Sequence, residues 1–298
     1  MKFRAHETFF IRKGWLYKGL KNIENDPRIF VSKERNPMDV LGIGANMVKS
    51  LRYWLQATGL TTEQSVKTRA KEQHATDLAT IILENDTYFE EIGTLWLIHY
   101  KLMSNKELAP AWYYFFNEFS LKEFQREDFN IGLEKFASMY GDSPSLSSID
   151  DDFNCLINTY ILRKRLNPTK GVNPESTIEC PLDELGLVDL SSLSRGKDRT
   201  FIKTIPKLET IPSLIFFSVI SEQSQGRKEI KFSELLNSPC NVGKVFNLDL
   251  VALSRLLDVL AKKDLIDVVR TAGLDVIKIK SEMSFNECVS AYYSSLNG

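Results

Sequence analysis

Two residues near the start of the chain, His6 and Glu7, have side chains that can catalyse a reaction. A histidine titrates near neutral pH and can act as a general base. A carboxylate can orient that base or bind a divalent metal ion. Adjacent residues on a strand point to opposite faces, so this pair shares a metal only where the chain bends. In the structural alternative, Glu7 caps the following helix or pairs with Arg12, and His6 forms a hydrogen bond with the core.

Positive charge is concentrated in the first quarter of the chain. Residues 1–71 contain 14 Lys and Arg against 6 Asp and Glu, although the formal net charge of the whole chain is only -1. Residues 72–155 reverse the balance, with 5 basic and 16 acidic side chains. Because basic side chains neutralise phosphates, we expect a nucleic-acid surface in residues 1–71, with Arg12 and Lys13 contacting phosphate. The alternative is that both segments are solvated helix faces.

Residues 37–60 have the pattern of a helix-turn-helix. A short apolar stretch precedes the Gly-Ile-Gly turn at 42–44, and apolar side chains then recur every three or four residues up to Gly59. In this motif the second helix enters the major groove of DNA. Its polar face carries the predicted nucleic-acid contacts Asn46, Lys49, Ser50 and Arg52. In the alternative interpretation, the two helices only pack against the core and do not contact DNA.

The segment 72–170 is predicted to be an acidic helical bundle. The aromatic run at 112–119 is typical of a bundle core, with a stacking platform for single-stranded bases as the alternative. His99 has apolar neighbours and is expected to pack rather than to bind a metal. The three consecutive carboxylates at 150–152 are predicted at a helix start, where they offset the helix dipole. As a metal site they lack a second carboxylate cluster.

Prolines mark residues 171–200 as a linker before a last domain at 201–298. The elements of that domain are predicted in the order helix, helix and two strands around a turn at 271–273, which is the order of a winged helix. The residues predicted on or near its recognition helix are Ser254, Arg255, Lys262 and Lys263. Winged helices contact proteins as well as DNA, so the pattern leaves both roles open.

The composition is typical of a cytoplasmic globular protein. At roughly 100–150 residues per domain, the length predicts two or three domains. The four cysteines are far apart, which argues against a zinc ribbon and against a disulfide framework. The start of the chain lacks a signal-peptide pattern, and no apolar run approaches the about 20 residues of a membrane span. The predicted fold is mainly α: a helix-turn-helix or winged-helix domain at 1–71, a helical middle, and a winged-helix-like carboxy-terminal domain.

Two motifs resemble the signature of a bacterial family of formally unknown function. The first motif is His-Glu-Thr-Phe followed by Arg and Gly-Trp-Leu, and it is matched by His6, Glu7, Thr8, Phe9, Arg12, Gly14, Trp15 and Leu16. The second motif is Leu-Gly-x-Gly-x-Asn-Met-Val, and it is matched by Leu41, Gly42, Gly44, Asn46, Met47 and Val48. The later blocks "TLWLIHYKLMSN", "WYYFFNEF" and "ECPLDELGLV" extend the likeness over most of the chain.

Members of that family are encoded beside reductase-like, sulfur-inserting proteins in DNA phosphorothioation and phage-defence operons. The resemblance implies the DNA-engaging component of a single-strand phosphorothioation system, a group to which DNA nicking is attributed. The implied partners are DNA and the protein subunits of the modification complex, and a nickase would imply a divalent metal ion. No established nuclease motif is visible, so whether the protein is an enzyme stays open. The alternative function is a non-catalytic scaffold that binds the partner proteins.

Overall fold

Helices dominate the fold, and their positions follow the apolar periodicity of the sequence. The computed structural model describes residues 1–65, 71–161, 179–192, 199–271 and 274–296. Within these residues three small β-sheets accompany the helices, so the predicted mainly α fold is corrected to a mixed α and β fold. None of the described helices combines the length and the apolar character that are needed to cross a bilayer.

The amino-terminal region contains the predicted pair of helices and an additional hairpin. Its elements are α1 (Trp15–Asn25), α2 (Pro37–Leu41), α3 (Ala45–Ala57), β1 (Thr61–Ser65) and β2 (Lys71–Ala75). Gly42 ends α2 with a φ of 60°, a left-handed conformation that glycine adopts without steric cost. The two strands pair antiparallel, with Thr61 opposite Ala75 and Ser65 opposite Lys71. The sequence pattern does not indicate this hairpin, because its polar strands lack apolar alternation.

The middle segment contains the predicted helices. They are α4 (Asp77–Asn85), α5 (Ile92–Met103), α6 (Pro110–Asn117), α7 (Arg126–Met139) and α8 (Leu146–Tyr160), with a short strand β3 (Glu123–Phe124) before α7. The aromatic run on α6 is core, since Trp112 is 1% and Phe115 is 0% exposed. The rings of Trp112 and Phe115 therefore offer no face on which a base could stack.

The remaining elements form two small sheets with helices around them. They are β4 (Val188–Leu190), β5 (Phe201–Lys203), α9 (Ser213–Ser224), β6 (Glu229–Lys231), α10 (Phe232–Asn237), α11 (Val242–Val245), α12 (Leu250–Lys262), β7 (Ile266–Thr271), β8 (Leu274–Ile279) and α13 (Phe285–Leu296). The strand orders are β3-β5-β4 and β6-β8-β7, with all neighbours antiparallel. The predicted hairpin is present as β7 and β8, and strand β6 is an addition to the predicted helices and hairpin. Residues 272 and 273 of the predicted turn lie outside the described residues.

The buried apolar side chains form one cluster that extends along the chain from Phe10 to Tyr293. All three predicted domains contribute to it. The predicted linker 171–200 contributes as well, because Leu182 and Leu187 are fully buried in its described part, residues 179–192. Two stretches of that linker, residues 171–178 and 193–198, lie outside the described part of the chain. The domain boundaries stay predictions.

Gly243 on α11 is a position where a single methyl group should be damaging. A Cβ there would lie 2.2 Å from the backbone oxygen of Leu236 on α10. The backbone of Leu236 cannot relieve this clash by a change of rotamer, as a side chain could. We therefore expect Gly243→Ala to lower the free energy of unfolding by about 2–3 kcal/mol. Urea denaturation measures the change, with Gly44→Ala as the matched control because open space surrounds that Cβ position. Equal stability of the two variants would contradict the prediction.

His99 on α5 is fully buried and connects three elements, as the packing interpretation predicts. Its Nε2–H donates to the backbone oxygen of Val245 on α11 (2.8 Å). Because that nitrogen carries the proton, Nδ1 accepts from the hydroxyl of Tyr160 on α8 (2.7 Å). Burial lowers the pKa of His99 to about 4, so the ring is neutral in the folded protein at neutral pH.

The free energy of unfolding should therefore fall as the pH drops from about 6.5 to about 4. In this window the unfolded chain binds a proton at His99 and the folded chain does not, which favours unfolding at the lower pH. Between pH 7.5 and pH 5 we expect this residue to remove about 2 kcal/mol of stability. Urea denaturation at both pH values should show a smaller decrease for His99→Gln than for the wild type. The same decrease in both proteins would argue against this role.

Candidate nucleic-acid interface

The ring of His6 lies inside the protein rather than at its surface. It is 0% exposed, stacks on Trp54 with 6.1 Å between ring centroids, and meets Trp112 edge-on at 5.8 Å. Its Nδ1 accepts from the backbone N–H of Thr8 (3.1 Å), so Nε2 carries the proton and donates to Oδ1 of Asp152 on α8 (2.7 Å). His6 thus connects the start of the chain to the helical middle.

The backbone around His6 adopts conformations that need this support. Arg4, Glu7 and Thr8 have positive φ values of 56°, 51° and 66°, and each left-handed non-glycine residue costs about 1 kcal/mol or more. Asp152 stabilises the bend further by accepting the backbone N–H of Arg4 (2.9 Å). Burial raises the pKa of Asp152, although the hydrogen bond from His6 favours its ionised form. This geometry favours the structural interpretation of His6, and its catalytic role stays a prediction.

Glu7 lies on the other side of the bend, so the two side chains diverge although this segment is a turn and not a strand. Its carboxylate is partly exposed, and Oε1 lies 3.8 Å from Nζ of Lys49 on α3. The structure therefore separates the two candidate catalytic groups: His6 points into the core and Glu7 points to solvent. The pair does not form one site.

A basic cleft with a volume of about 230 Å³ opens between the amino-terminal segment, α3 and the β1–β2 hairpin. The cationic side chains that line it are Lys2, Lys49, Arg52 and Lys71. Its apolar lining comes from Ala5, Phe30, Val48 and Leu108, and one carboxylate, Glu63, also lines it. We call this feature the basic cleft. Positive charge from three separate parts of the chain converges there.

Glu63 holds two of these cations in place. Its Oε2 accepts from Nε of Arg52 (2.9 Å) and from Nη2 of the same guanidinium, and its Oε1 lies 2.8 Å from Nζ of Lys71. Although burial opposes ionisation, the hydrogen bonds from Lys71 and Arg52 hold the pKa of Glu63 below its usual value. Because a guanidinium has five N–H groups and Glu63 takes two, Arg52 is oriented and keeps three donors beyond this ion pair.

The structure distributes the predicted nucleic-acid contacts over different environments. Lys49 and Arg52 line the basic cleft, and exposed Asn46 lies beside them, with its Oδ1 3.4 Å from Nζ of Lys49. Ser50 is 0% exposed and its hydroxyl donates to the backbone oxygen of Phe9 (3.4 Å). A buried hydroxyl with this partner is not available to DNA. Helical periodicity explains the difference, because residues 49 and 50 lie on different faces of α3.

The two other predicted phosphate contacts lie away from the cleft lining. The guanidinium of Arg12 lies over the rings of Phe9 (5.5 Å) and Trp15 (5.1 Å). Lys13 is 72% exposed, and its Nζ lies 3.6 Å from Glu90. Sequence reasoning does not single out Lys2 and Lys71. Both contribute to the charge excess of residues 1–71, but only the hairpin and the bend at His6 bring them to α3.

The three consecutive aspartates lie within α8 rather than at its start, which is Leu146. Asp150 accepts from Asn130 (2.8 Å), Asp151 pairs with Arg4 (2.6 Å), and Asp152 pairs with His6. Successive residues of a helix face different directions, so the three carboxylates do not converge. Among the described residues, no three His, Cys, Asp or Glu side chains are placed to hold a metal ion together.

Comparison with known proteins identifies the family. None of the curated proteins matches the chain. Two solved structures are similar to 99% of this chain over 87% of their own length, each at 25% sequence identity: the crystal structure of SspB, with a TM-score of 0.83, and that of magnesium ion-bound SspB, with a TM-score of 0.84. The family model of a protein of unknown function, DUF4007, matches residues 3–293. The chain therefore belongs to the DUF4007 family.

Proposed function

We propose that this chain is the DNA-engaging component of a DNA phosphorothioation system. SspB, which it resembles over nearly its whole length, is part of such systems. The observation that carries the proposal is the basic cleft, where four cationic side chains from the amino-terminal segment, α3 and the hairpin converge. Phosphate is the abundant anion of DNA, and lysine and arginine are the side chains that bind it. A phage-defence role for the system is part of the same proposal.

The proposed binding is electrostatic and of moderate strength. The whole chain has a formal net charge of -1, so the long-range field does not favour DNA strongly. Local attraction at the cleft then supplies the affinity, and it should weaken as salt screens it. The test is fluorescence anisotropy of a labelled duplex and a labelled single strand with the purified chain, at rising salt concentrations. Absence of binding even at low salt would refute DNA engagement by the chain alone.

The proposal extends to nicking, the step that would open a strand for sulfur insertion. Of the two candidate groups, only Glu7 reaches solvent, so it is the residue whose change is informative. The expected result is conversion of supercoiled plasmid to the open circle in the presence of magnesium or manganese, and its loss in Glu7→Gln. One SspB structure holds a magnesium ion. The described residues of this chain bring no three metal-binding side chains together, so we assign no ligand to such an ion.

A second candidate function is that of a scaffold, and the surface of α12 favours it for the carboxy-terminal region. The elements α9, β6, α10, α11, α12, β7 and β8 follow one another along the chain, and in the winged-helix interpretation α12 is the recognition helix. The first turn of α12 exposes Leu250 (60%) and Val251 (55%). A DNA-reading helix presents polar or basic side chains there, whereas exposed apolar side chains are typical of protein contacts.

The predicted recognition residues on α12 are accessible to differing degrees. Arg255, Lys262 and Lys263 are exposed and Ser254 is half-buried. We propose that this face contacts a protein subunit of the modification complex. A scaffold alone would bind no DNA as a purified chain and would bind it only together with that subunit, so the anisotropy experiment separates the two functions.

A further inference from the structure

The basic cleft carries more positive charge than one backbone phosphate neutralises. Its four cations are opposed by Glu63 and, at the edge, by Glu7, whose Oε1 lies 3.8 Å from Nζ of Lys49. The cations therefore outnumber the carboxylates by two. A phosphodiester within a strand carries about one negative charge, whereas a phosphomonoester carries about 1.5 to 2 near pH 7. The charge balance of the cleft fits a phosphomonoester better.

The shape of the cleft leads to the same ligand. Three parts of the chain supply its charged lining: the amino-terminal segment with Lys2, α3 with Lys49 and Arg52, and the hairpin with Glu63 and Lys71. Its volume of about 230 Å³ is far below what a duplex occupies. A phosphate within a continuous strand has a sugar on both sides, so the neighbouring nucleotides hinder its entry into a cleft of this volume. A terminal phosphate has a single sugar attached and can enter.

The ion pairs prepare the cleft for such a ligand. Glu63 orients the guanidinium of Arg52 before any ligand arrives, so little side-chain conformational entropy is lost on binding. The donors that remain on Arg52 suit the several oxygens of a terminal phosphate, and the lysines add compact charge around it. The negative charge of Glu63 repels a phosphate, but the same carboxylate positions Arg52 and Lys71, which attract it.

We infer that the basic cleft binds the phosphomonoester at the end of a DNA strand, as found at a nick. This inference rests on the proposed DNA-engaging function and specifies its substrate as a strand break. Hydrolysis of one phosphodiester produces such an end. Water supplies a hydroxyl group to phosphorus, the bond from phosphorus to one sugar oxygen breaks, and that oxygen takes the remaining proton. No oxidant or reductant is needed.

The test uses the full chain and duplex oligonucleotides with one central nick and a fluorophore far from it. Three forms differ only at the nick, which carries a 5′-phosphate, a 3′-phosphate or hydroxyls alone. We expect one phosphorylated form to bind about tenfold more tightly than the hydroxyl form, which is the effect of one or two charge-assisted hydrogen bonds. The form that binds most tightly identifies the strand end. Lys71→Ala should reduce the preference, whereas Lys135→Ala, at an exposed position on α7, should keep it.

Three outcomes would overturn the inference, and they differ in what they say about the proposed function. Equal, salt-sensitive binding of all three forms would refute recognition of the strand end and leave DNA engagement intact. No binding of any form would refute both. Displacement of the nicked DNA by deoxythymidine 5′-monophosphate at equal concentration would assign the cleft to free nucleotides instead.

Discussion

Replacing Lys2, Lys49 and Lys71 together by alanine will weaken DNA binding by about 100-fold, because each lysine that loses its phosphate removes up to about 1 kcal/mol. The dependence on salt should change as well. Each contact releases about 0.9 counterions, so the negative slope of log affinity against log salt should become shallower by roughly 2 to 3. The three side chains line the basic cleft, and their removal leaves the Arg52–Glu63 ion pair intact. Anisotropy titrations at several salt concentrations measure both quantities.

Arg52 is left unchanged in this variant for a physical reason. Its side chain is only 25% exposed and donates two hydrogen bonds to the half-buried Glu63, whereas Lys71 is 55% exposed. Arg52→Ala would therefore affect stability more than Lys71→Ala does, and a loss of binding would be harder to interpret. The matched control replaces Lys262 and Lys263, two exposed lysines at the end of α12, by alanine. If the control loses as much affinity as the cleft variant, the carboxy-terminal region rather than the cleft binds DNA.

Removing either partner of the His6–Asp152 pair will destabilise the fold strongly. His6→Ala or Asp152→Ala should lower the free energy of unfolding by about 3–5 kcal/mol, because the other partner then stays buried without its hydrogen bond. In a chain of this length that corresponds to a decrease in Tm of roughly 6 °C. The double variant should cost little more than either single one, since the lost interaction is the same. Urea denaturation followed by tryptophan fluorescence suits this site, because Trp54 and Trp112 contact the His6 ring.

Two further variants make this prediction specific. Asp152→Asn keeps an oxygen that can accept from Nε2–H of His6, so it should retain most of the stability. Asp151→Ala removes the neighbouring carboxylate, whose partner Arg4 is 55% exposed, and should cost less than about 1 kcal/mol. A stable His6→Ala protein that has lost plasmid nicking would contradict the structural role and support the catalytic one.

The periodic parts of this fold could be predicted from the sequence. The apolar spacing in α1, α3 and the bundle helices reports which face each helix buries, and that spacing depends only on the geometry of a helix. The glycine turn at 42–44 is predictable for a similar reason, because Gly42 adopts a left-handed conformation. The β1–β2 hairpin and strand β6 were not predictable, because their polar or short strands depend on partners distant in sequence.

The candidate site also has some features that could be predicted from the sequence and others that could not. The basic character of residues 1–71 and the polar face of α3 with Lys49 and Arg52 can be read directly from the sequence. The folded chain adds that Lys2 and Lys71 lie beside them, that Ser50 faces inward, and that His6 is buried against Asp152, 146 residues away along the chain. Composition and helical periodicity are local properties of the chain. A cleft is made by contacts between distant segments, and one sequence does not specify which distant side chains will meet.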